Sequence, residues 1–310
     1  MEVIRDLDAC PAPGVGSVVA IGNFDGFHLG HRAVAASVIE RAGALGAKSA
    51  IVTFDRHPME WLKPEEAPCR LTTLDKKLAL MAEAGIDYAC VLTFDEQLSG
   101  QEPERFVEDV ISKCLRAKAV VVGENFRFGH NRRGDLAMLG AIGEELGFEA
   151  DSLDLIKAGS VAISSTRIRH AIREGEIAWG SMALGRDHSI QGVVQAGDRR
   201  GRDLGFPTAN LMPDPRICIP ADGVYAGWVR IDDVSYGAAI NVGKRPTFGK
   251  DLQMLIEAHI LDFEGDIYGQ EIEVGFHAHV RGEYRFSGPE ELAEQIKQDV
   301  LEARRLMEVD

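Results

Sequence analysis

The sequence predicts an α/β unit built on a parallel sheet, followed by a small all-β barrel that ends in a helix. In the first half, continuous apolar runs rich in β-branched residues alternate with amphipathic helical patterns, which is typical of a parallel sheet with helices on both faces. After about residue 185, apolar residues recur with a period of two between glycines and prolines, which favours an antiparallel barrel. A length of 310 residues is sufficient for two such domains.

Each element of the first half carries its own signal. The predicted strands are the apolar runs Val18–Ile21, Ala50–Phe54, Tyr88–Phe94 and Ala119–Val122. The predicted helices are the patterns between and after them, Arg32–Ala42, Asp75–Ala84, Pro103–Leu115 and Leu136–Leu146. Pro103 suits a first helical position, where its missing N–H costs nothing. Because ligands of parallel sheets bind at the carboxyl ends of strands, the segments that follow these runs are the first candidates for a site.

The second half reads as barrel strands and a closing helix. The predicted strands are Ile190–Gln195, Val224–Ile231, Tyr236–Val242, Leu255–Leu261 and Glu271–Phe276. The helix Pro289–Met307 has apolar residues at helical spacing. The change of pattern lies within Gly175–Ser189, so we expect one domain over residues 1–184 and a second over residues 185–310.

Composition limits the class of function. A net charge of −15 argues against a nucleic-acid partner, because general binders of nucleic acid usually present a basic face. The acidic N-terminus predicts no secretory leader, and no run approaches the roughly 18 apolar residues of a membrane span. The five cysteines are odd in number and contain no CxxC pair, which predicts neither a disulfide framework nor a cysteine zinc site. We therefore expect a protein of the reducing cytoplasm, with no membrane partner.

The turn after the first predicted strand, GNFDGFHLGH at Gly22–His31, is a candidate phosphate site. A glycine-rich strand-to-helix turn leaves backbone N–H groups to meet an anion. His28 and His31 flank it, and their imidazoles can donate hydrogen bonds to phosphate oxygens. Two local alternatives remain open. The histidines could cap the helix or pack nearby, or they could bind zinc, which would require further ligands.

The segment ISSTRIR, Ile163–Arg169, also indicates phosphate binding. A serine there could simply cap the helix that follows. Capping does not explain Arg167 and Arg169 near a helix N-terminus, where the macrodipole disfavours cations. A bound polyphosphate would resolve this conflict, because the arginine fork binds phosphate oxygens bidentately.

The third motif, GRDLGFPTANL at Gly201–Leu211, contains no Walker sequence, so the chain is not a P-loop NTPase. GFPTAN could be only a turn. In an extended segment, however, Thr208 and Asn210 face the same way and could offer two oxygens to one Mg²⁺ ion. Further on, Glu257 shares a strand face with Leu255 and His259. It could be solvent-facing, or it could accept a proton from a substrate hydroxyl.

The order of the motifs resembles the bacterial bifunctional riboflavin kinase/FAD synthetase (FMN adenylyltransferase) family. The motifs of the first half are GNFDGFHLGH, TFDRHP, GENFRFG and ISSTRIR, and those of the second half are GRDLGFPTAN, PADGVYAGWV, NVGKRPTFG and IEAHILDFEGDIYG. The resemblance covers essentially the whole chain. It implies a nucleotidyltransferase Rossmann-like sheet and a six-stranded antiparallel riboflavin-kinase barrel. The implied substrates are riboflavin, FMN and ATP, with Mg²⁺ as cofactor, and the implied assembly is a monomer or a transient homo-oligomer.

For the first half, the resemblance implies transfer of AMP from ATP to FMN. His28 and His31 would stabilise the reacting phosphates. The residues implied to bind ATP and its phosphates are Gly22, Asn23, Phe24, Asp25, Gly26, Gly30, Ser164, Ser165, Thr166 and Arg167. Those implied to face the flavin or its phosphate are Asn125, Arg127 and Phe128. Asn125 departs from an aspartate common in the family, and Phe54, Phe126 and Phe128 could each be plain core.

For the second half, the resemblance implies phosphorylation of the riboflavin 5′-hydroxyl with Glu257 as general base. Thr208 and Asn210 would bind Mg²⁺ and phosphates. Gly201, Arg202 and Pro207 would contact the nucleotide, and Arg281 would lie toward the flavin. Asp187 and His188 stand where the family usually has Pro and Tyr, which we expect to alter the linker rather than the chemistry.

Three other functions remain open at this stage. One half could be silent, or the chain could be a flavin-binding sensor that has lost catalysis. The first half could also adenylylate another phosphorylated substrate such as phosphopantetheine, which the kinase-like second half disfavours.

Overall fold

In the computed structural model, the described residues are 1–7, 10, 14–153, 157–158, 161–196, 205–246, 252–284 and 286–307. Contacts divide the chain into two compact units, Met1–Ser164 and Ser165–Asp310. The domain boundary expected at residues 184 and 185 lies later in the chain and stays a prediction.

The N-terminal unit contains a six-stranded sheet in the order β1-β4-β3-β2-β5-β6, with every pair parallel. The strands are β1 (Glu2–Ile4), β2 (Ser17–Ile21), β3 (Lys48–Phe54), β4 (Tyr88–Leu92), β5 (Ala117–Gly123) and β6 (Glu149–Leu153). After β4 the chain returns to the other side of β2, so the topological switch point lies between β2 and β5. The predicted parallel sheet is confirmed.

Helices and short turns connect these strands. They are α1 (Leu29–Ala44), α2 (Pro58–Leu62), α3 (Leu74–Glu83), α4 (Glu96–Ser99), α5 (Pro103–Phe106) running on as a π-helix (Val107–Cys114), and α6 (Leu136–Leu146). Single 3₁₀ turns lie at Pro64–Glu66 and His130–Arg132, and a small antiparallel pair is formed by β7 (Lys157–Ala158) and β8 (Val161–Ala162).

The sheet is buried on both faces, which explains why its central strands read as continuous apolar runs. Val19 and Ile21 of β2 belong to one core cluster, and Val18 and Ala20 belong to another. Because successive side chains of a strand point to opposite faces, the two clusters lie on opposite sides of the sheet.

One expectation about the cysteines is wrong, because Cys10 and Cys114 form a disulfide with their Cα atoms 5.4 Å apart. They are far apart in sequence but close in space, since Ser17 of β2 pairs with Ala117 of β5 and each cysteine precedes one of these strands. Spacing along the chain carries no trace of this proximity. The cysteine pattern therefore no longer supports a reducing compartment.

The C-terminal unit begins with α7 (Ser165–Arg173) and α8 (Ile177–Leu184), and a closed antiparallel barrel follows in the order β10-β13-β12-β11-β14-β9. Its strands are β9 (His188–Gln195), β10 (Ala209–Leu211), β11 (Gly223–Ile231), β12 (Val234–Pro246), β13 (Leu252–Ile260) and β14 (Glu271–Arg281). Helix α9 (Pro289–Met307) closes the described chain. The predicted six-stranded barrel and terminal helix are confirmed. Within the described residues, no helix has the length and apolarity needed to cross a membrane.

Candidate active sites

The loop between β2 and α1 lies at the switch point of the N-terminal sheet. Its backbone is strained at Phe24 (φ 51°) and Phe27 (φ 38°), which adopt left-handed conformations although they are not glycines. Gly26 (φ 82°) adopts the same region without strain. The two phenylalanine side chains are buried in the core, which holds the loop in this shape. Such strain persists only where the surrounding structure over-determines it, and it concentrates at functional sites.

The two histidines of this loop stack on each other. Their ring centroids are 3.6 Å apart with 17° between the planes, and the Nδ1 of His28 accepts a hydrogen bond of 3.3 Å from the His31 N–H. His28 is thus the N-cap of α1, so the capping alternative is confirmed for it. A Cβ at Gly30 would lie 3.1 Å from ring atoms of His28, which explains the glycine there. Contact of either ring with phosphates stays a prediction.

Asp25 ties the same loop to the segment before α3. Its buried carboxylate accepts hydrogen bonds from the backbone N–H groups of Leu71 (3.0 Å) and Thr72 (3.3 Å). In return, the Gly26 N–H donates to Thr72 Oγ1 at 3.2 Å. The contacts of Asp25 therefore organise the loop, and its role toward ATP stays a prediction.

Lys77 of α3 is a residue that the sequence analysis missed. Its side chain is buried, and Nζ donates to Asn23 O (3.1 Å), Thr53 Oγ1 (3.0 Å) and Phe54 O (2.9 Å). Burial lowers the pKa of this lysine to about 8. Lys77 lies one helical turn before the buried Met81, on the same face of α3. This spacing was the one signal in the sequence that could have indicated a buried lysine.

The residues predicted to face the flavin follow β5. Asn125 and Arg127 are exposed, and the guanidinium of Arg127 donates to Phe126 O at 3.2 Å. Phe128 is only 7% exposed and packs against Phe126 and Phe106 within the core. The core alternative is therefore confirmed for Phe128, and its contact with flavin stays a prediction.

The ISSTRIR segment spans the division between the units. Ser164 is the last residue of the N-terminal unit, and Ser165 begins α7. Arg167 pairs with Glu176 at 2.6 Å and lies 4.5 Å above the ring of Trp179. The carboxylate of Glu176 offsets the unfavourable interaction of this guanidinium with the helix macrodipole. It therefore accounts for an arginine near the start of α7. Thr166 is exposed at this helix start.

In the C-terminal unit, a cavity of about 440 Å³ lies between the barrel and α9. It is lined by Thr208, Asn210, Glu257, Arg281, Tyr284 and Asp299, among others. Glu257 is paired in register with Asn210 of β10 on one side and with Asn241 of β12 on the other. The Asn241 amide donates to a Glu257 carboxylate oxygen at 3.5 Å. Glu257 is thus half-buried in a cavity wall and is not simply solvent-facing.

Arg281 joins β14 to α9 at the edge of this cavity. Its guanidinium donates two hydrogen bonds to Asp299, at 2.8 and 2.6 Å, and lies 4.9 Å from the ring centroid of Tyr284. The amide of Gln295 supports Asp299 from within α9, at 2.9 Å. The observed role of Arg281 is to hold the cavity wall, and its contact with flavin stays a prediction.

Replacing Asp299 with alanine is expected to lower the free energy of unfolding of the C-terminal unit by about 3–5 kcal/mol, because it leaves the guanidinium of Arg281 buried without its partner. Denaturant unfolding followed by circular dichroism measures this change. Asp262→Ala is the matched control. It removes an equally bidentate but exposed pair with Arg304, so little change is expected. Equal losses in the two variants would contradict the prediction.

A second cavity, of about 450 Å³, shares Thr208 and Asn210 with the first. Pro207, Phe263 and Tyr268 also line it. Predicted residues Gly201 and Arg202 lie outside the described residues. Among the residues that the structure describes, no group of three or more His, Cys, Asp or Glu side chains could hold a metal ion.

The unusual pair at the start of the barrel is built into its wall. Asp187 accepts a hydrogen bond from the Trp228 indole at 2.9 Å. His188 is the first residue of β9, and its Nε2 lies 2.7 Å from Cys218 O. His188 therefore belongs to the barrel and not to a linker, which corrects the expectation about its position.

Known proteins resemble this chain along its whole length. A family model described as FAD synthetase matches residues 11–167, and one described as riboflavin kinase matches residues 184–307. The bifunctional riboflavin kinase/FMN adenylyltransferase of Escherichia coli K12 is 39% identical over 98% of this chain and 97% of that protein. The protein of the same name from Pseudomonas fluorescens is 36% identical over 99% and 98%.

A solved structure extends the likeness to the fold. A crystal structure described as a macrolide-efflux protein from Streptococcus pneumoniae has a TM-score of 0.88 and 29% identity to this chain, and covers 98% of this chain and 99% of that one. The two family models occur in the order of the two units seen here, and the curated relatives carry both activities in their name. The chain belongs to the bifunctional riboflavin kinase/FMN adenylyltransferase family.

Proposed function

We propose that this chain phosphorylates riboflavin with ATP in its C-terminal barrel and transfers AMP from a second ATP to FMN in its N-terminal sheet, giving FAD and pyrophosphate. The observation that carries the proposal is the pair of cavities that meet at Thr208 and Asn210 beside Glu257. A phosphoryl transfer between two small molecules needs two binding spaces that join where the phosphate passes.

In the kinase step, riboflavin occupies the cavity that contains Glu257, and the nucleotide occupies the other. Glu257 accepts the proton of the 5′-hydroxyl as the oxygen attacks the γ-phosphorus of ATP. The Asn241 amide orients the carboxylate, since it donates to one of its oxygens. The aromatic ring of Tyr284 and the Arg281–Asp299 pair form the flavin side of this cavity.

Mg²⁺ fits the residues shared by the cavities. The Asn210 amide nitrogen donates to Thr208 O at 3.2 Å. The Asn210 carbonyl oxygen and the Thr208 hydroxyl would hold the cation. Neutral oxygen donors without a carboxylate cluster suit Mg²⁺, which takes its other ligands from water and substrate phosphates. When bound, Mg²⁺ would supply charge neutralisation for the transferred phosphate. Pro207 lines the nucleotide side of the second cavity. A contact of Gly201 and Arg202 with the nucleotide is proposed from their motif alone.

In the adenylylation step, the FMN phosphate attacks the α-phosphorus of ATP, so no protein nucleophile is needed. The loop Gly22–Gly30 receives the phosphates at the start of α1, and His28 and His31 stabilise charge that develops on them. The backbone N–H groups of Gly22 and Gly26 shape this loop, because they donate to Val52 O (3.0 Å) and Thr72 Oγ1 (3.2 Å). Ser164, Ser165, Thr166 and Arg167 hold the remaining phosphates. Asn125 and Arg127 approach the FMN phosphate from the end of β5. The protein acts as a monomer or a transient homo-oligomer.

Chromatography of flavins tests the proposal. Purified protein is incubated with riboflavin, ATP and Mg²⁺, and a parallel reaction starts from FMN. FMN followed by FAD in the first reaction, and FAD in the second, is the expected result. FAD only from supplied FMN would show a silent kinase, whereas FMN that accumulates without FAD would show a silent adenylyltransferase. Flavin that binds without any product would favour the sensor alternative.

A further inference from the structure

The ammonium group of Lys77 is enclosed by acceptors that match its hydrogens in number. An ammonium carries three N–H donors, and Nζ donates to three oxygens at 2.9–3.1 Å. These are the carbonyls of Asn23 and Phe54 and the hydroxyl of Thr53. That hydroxyl in turn donates to Asn23 O at 2.9 Å, which closes the network. A neutral amine has only two N–H donors and cannot satisfy the same three acceptors.

The three acceptors come from two strand ends that carry the adenylyl-transfer motifs. Asn23 lies in the loop after β2, which leads to His28 and His31, and Thr53 and Phe54 end β3. Lys77 itself lies in α3, so one ammonium joins a helix, a strand end and the histidine loop. Asp25 ties the same loop to the residues that precede α3, which makes Lys77 the second anchor from this direction.

Burying an ammonium carries a desolvation cost, which its three hydrogen bonds offset. The side chain is 6% exposed, and desolvation lowers its pKa to about 8. The charged and titratable groups that face it across a small cleft are Asp25, Asp55, Arg56, His57 and Arg70. Of these, Asp25 and Asp55 favour the ammonium form and Arg70 opposes it.

We infer that Lys77 is a positioning residue for adenylyl transfer, whose ammonium fixes the backbone of the β2–α1 loop and thereby the places of His28 and His31. Its three hydrogen bonds to the protein use all of its N–H donors, so it acts through the loop. The inference rests on the proposed adenylyltransferase function. Displacing catalytic groups by about 1 Å can cost about 100-fold in rate, so a shift of this loop is sufficient for a large effect.

The test uses Lys77→Met, which keeps the length of the side chain and removes its donors, in the full-length protein. We expect kcat for FAD formation from FMN to fall about 10- to 100-fold, with a smaller change in KM. FMN formation from riboflavin in the same preparation should be unchanged, and it reports that the C-terminal unit is folded. Far-UV circular dichroism of the variant reports the fold of the N-terminal unit. FAD formation at the unchanged rate, or an equal fall in both activities, would overturn the inference.

The pH profile separates positioning from simple support of the fold. In the unchanged protein, kcat for FAD formation should fall as pH rises through about 8, because the amine then lacks its third donor. This fall should disappear in Lys77→Met, whose remaining activity is independent of the lysine. A fall near pH 8 that persists in the variant would assign the titration to another group and overturn the inference.

Chemical rescue provides a second variant. Lys77→Ala lacks three carbons and the nitrogen, which propylammonium supplies, whereas 1-propanol supplies the same length without the charge. Restoration of FAD formation by the amine alone supports positioning by the ammonium, and equal effects of amine and alcohol contradict it. Failure of the unchanged protein to make FAD would overturn the proposed function itself, so the two failures are distinguishable.

Discussion

Replacing Glu257 with glutamine is expected to lower FMN formation from riboflavin by at least about 100-fold, because the amide cannot accept the proton of the 5′-hydroxyl. FAD formation from supplied FMN should be unchanged, since that reaction uses the other unit. The substitution keeps the shape of the side chain, so the register of β13 with β10 and β12 is retained. Single-turnover assays with riboflavin and with FMN measure the two steps separately.

Glu271→Gln is the matched control for this variant. Glu271 is an exposed glutamate at the start of β14, in the same barrel but away from both cavities. Its replacement removes one carboxylate and should leave both reactions unchanged. Full riboflavin phosphorylation by Glu257→Gln would remove Glu257 from the role of general base.

The second large effect is expected from His31→Ala, which should lower FAD formation from FMN by about 100- to 1000-fold while sparing FMN formation. Loss of one donor that stabilises developing charge typically costs this much. The variant also removes the ring that stacks on His28 at 3.6 Å, so the neighbouring imidazole loses its support. Product analysis after riboflavin or FMN is supplied distinguishes the two steps.

His277→Ala controls for the loss of a histidine. His277 lies in the barrel beside Asp187, at 3.4 Å, and takes no part in the proposed adenylyl transfer. It should leave FAD formation at the wild-type rate. If His31→Ala makes FAD as fast as His277→Ala does, the phosphates are not stabilised by this histidine.

The predictable parts of the fold are those in which burial leaves a pattern in the sequence. Strands β2 to β5 are buried on both faces and read as apolar runs, whereas β13 alternates because Ile256 and Ala258 face the core and Glu257 does not. The edge strands β1 and β6 were not predicted. One has only three residues, and the other, EADSL, has no apolar pattern because its side chains are largely exposed.

The candidate sites could be predicted as motifs but not as contacts. Thr208 and Asn210 line one cavity with Glu257 because β10 pairs with β13, and no local pattern states which strands pair. Lys77 and the Cys10–Cys114 bond depend on the same long-range topology. The buried position of Phe128 also depends on its partners, whereas its motif alone was compatible with either a flavin contact or the core.

The position of Thr208 and Asn210 between two cavities has a stereochemical outcome. The first cavity is lined from β12 and β13, and the second from β9 and the residues after β13. Under the proposed function, the hydroxyl attacks from the first cavity and ADP departs into the second. Such an in-line displacement inverts the configuration at phosphorus. A γ-phosphoryl group made chiral with oxygen isotopes and sulfur is therefore expected to arrive in the flavin product with inverted configuration. Retention would indicate a phosphorylated side chain as an intermediate.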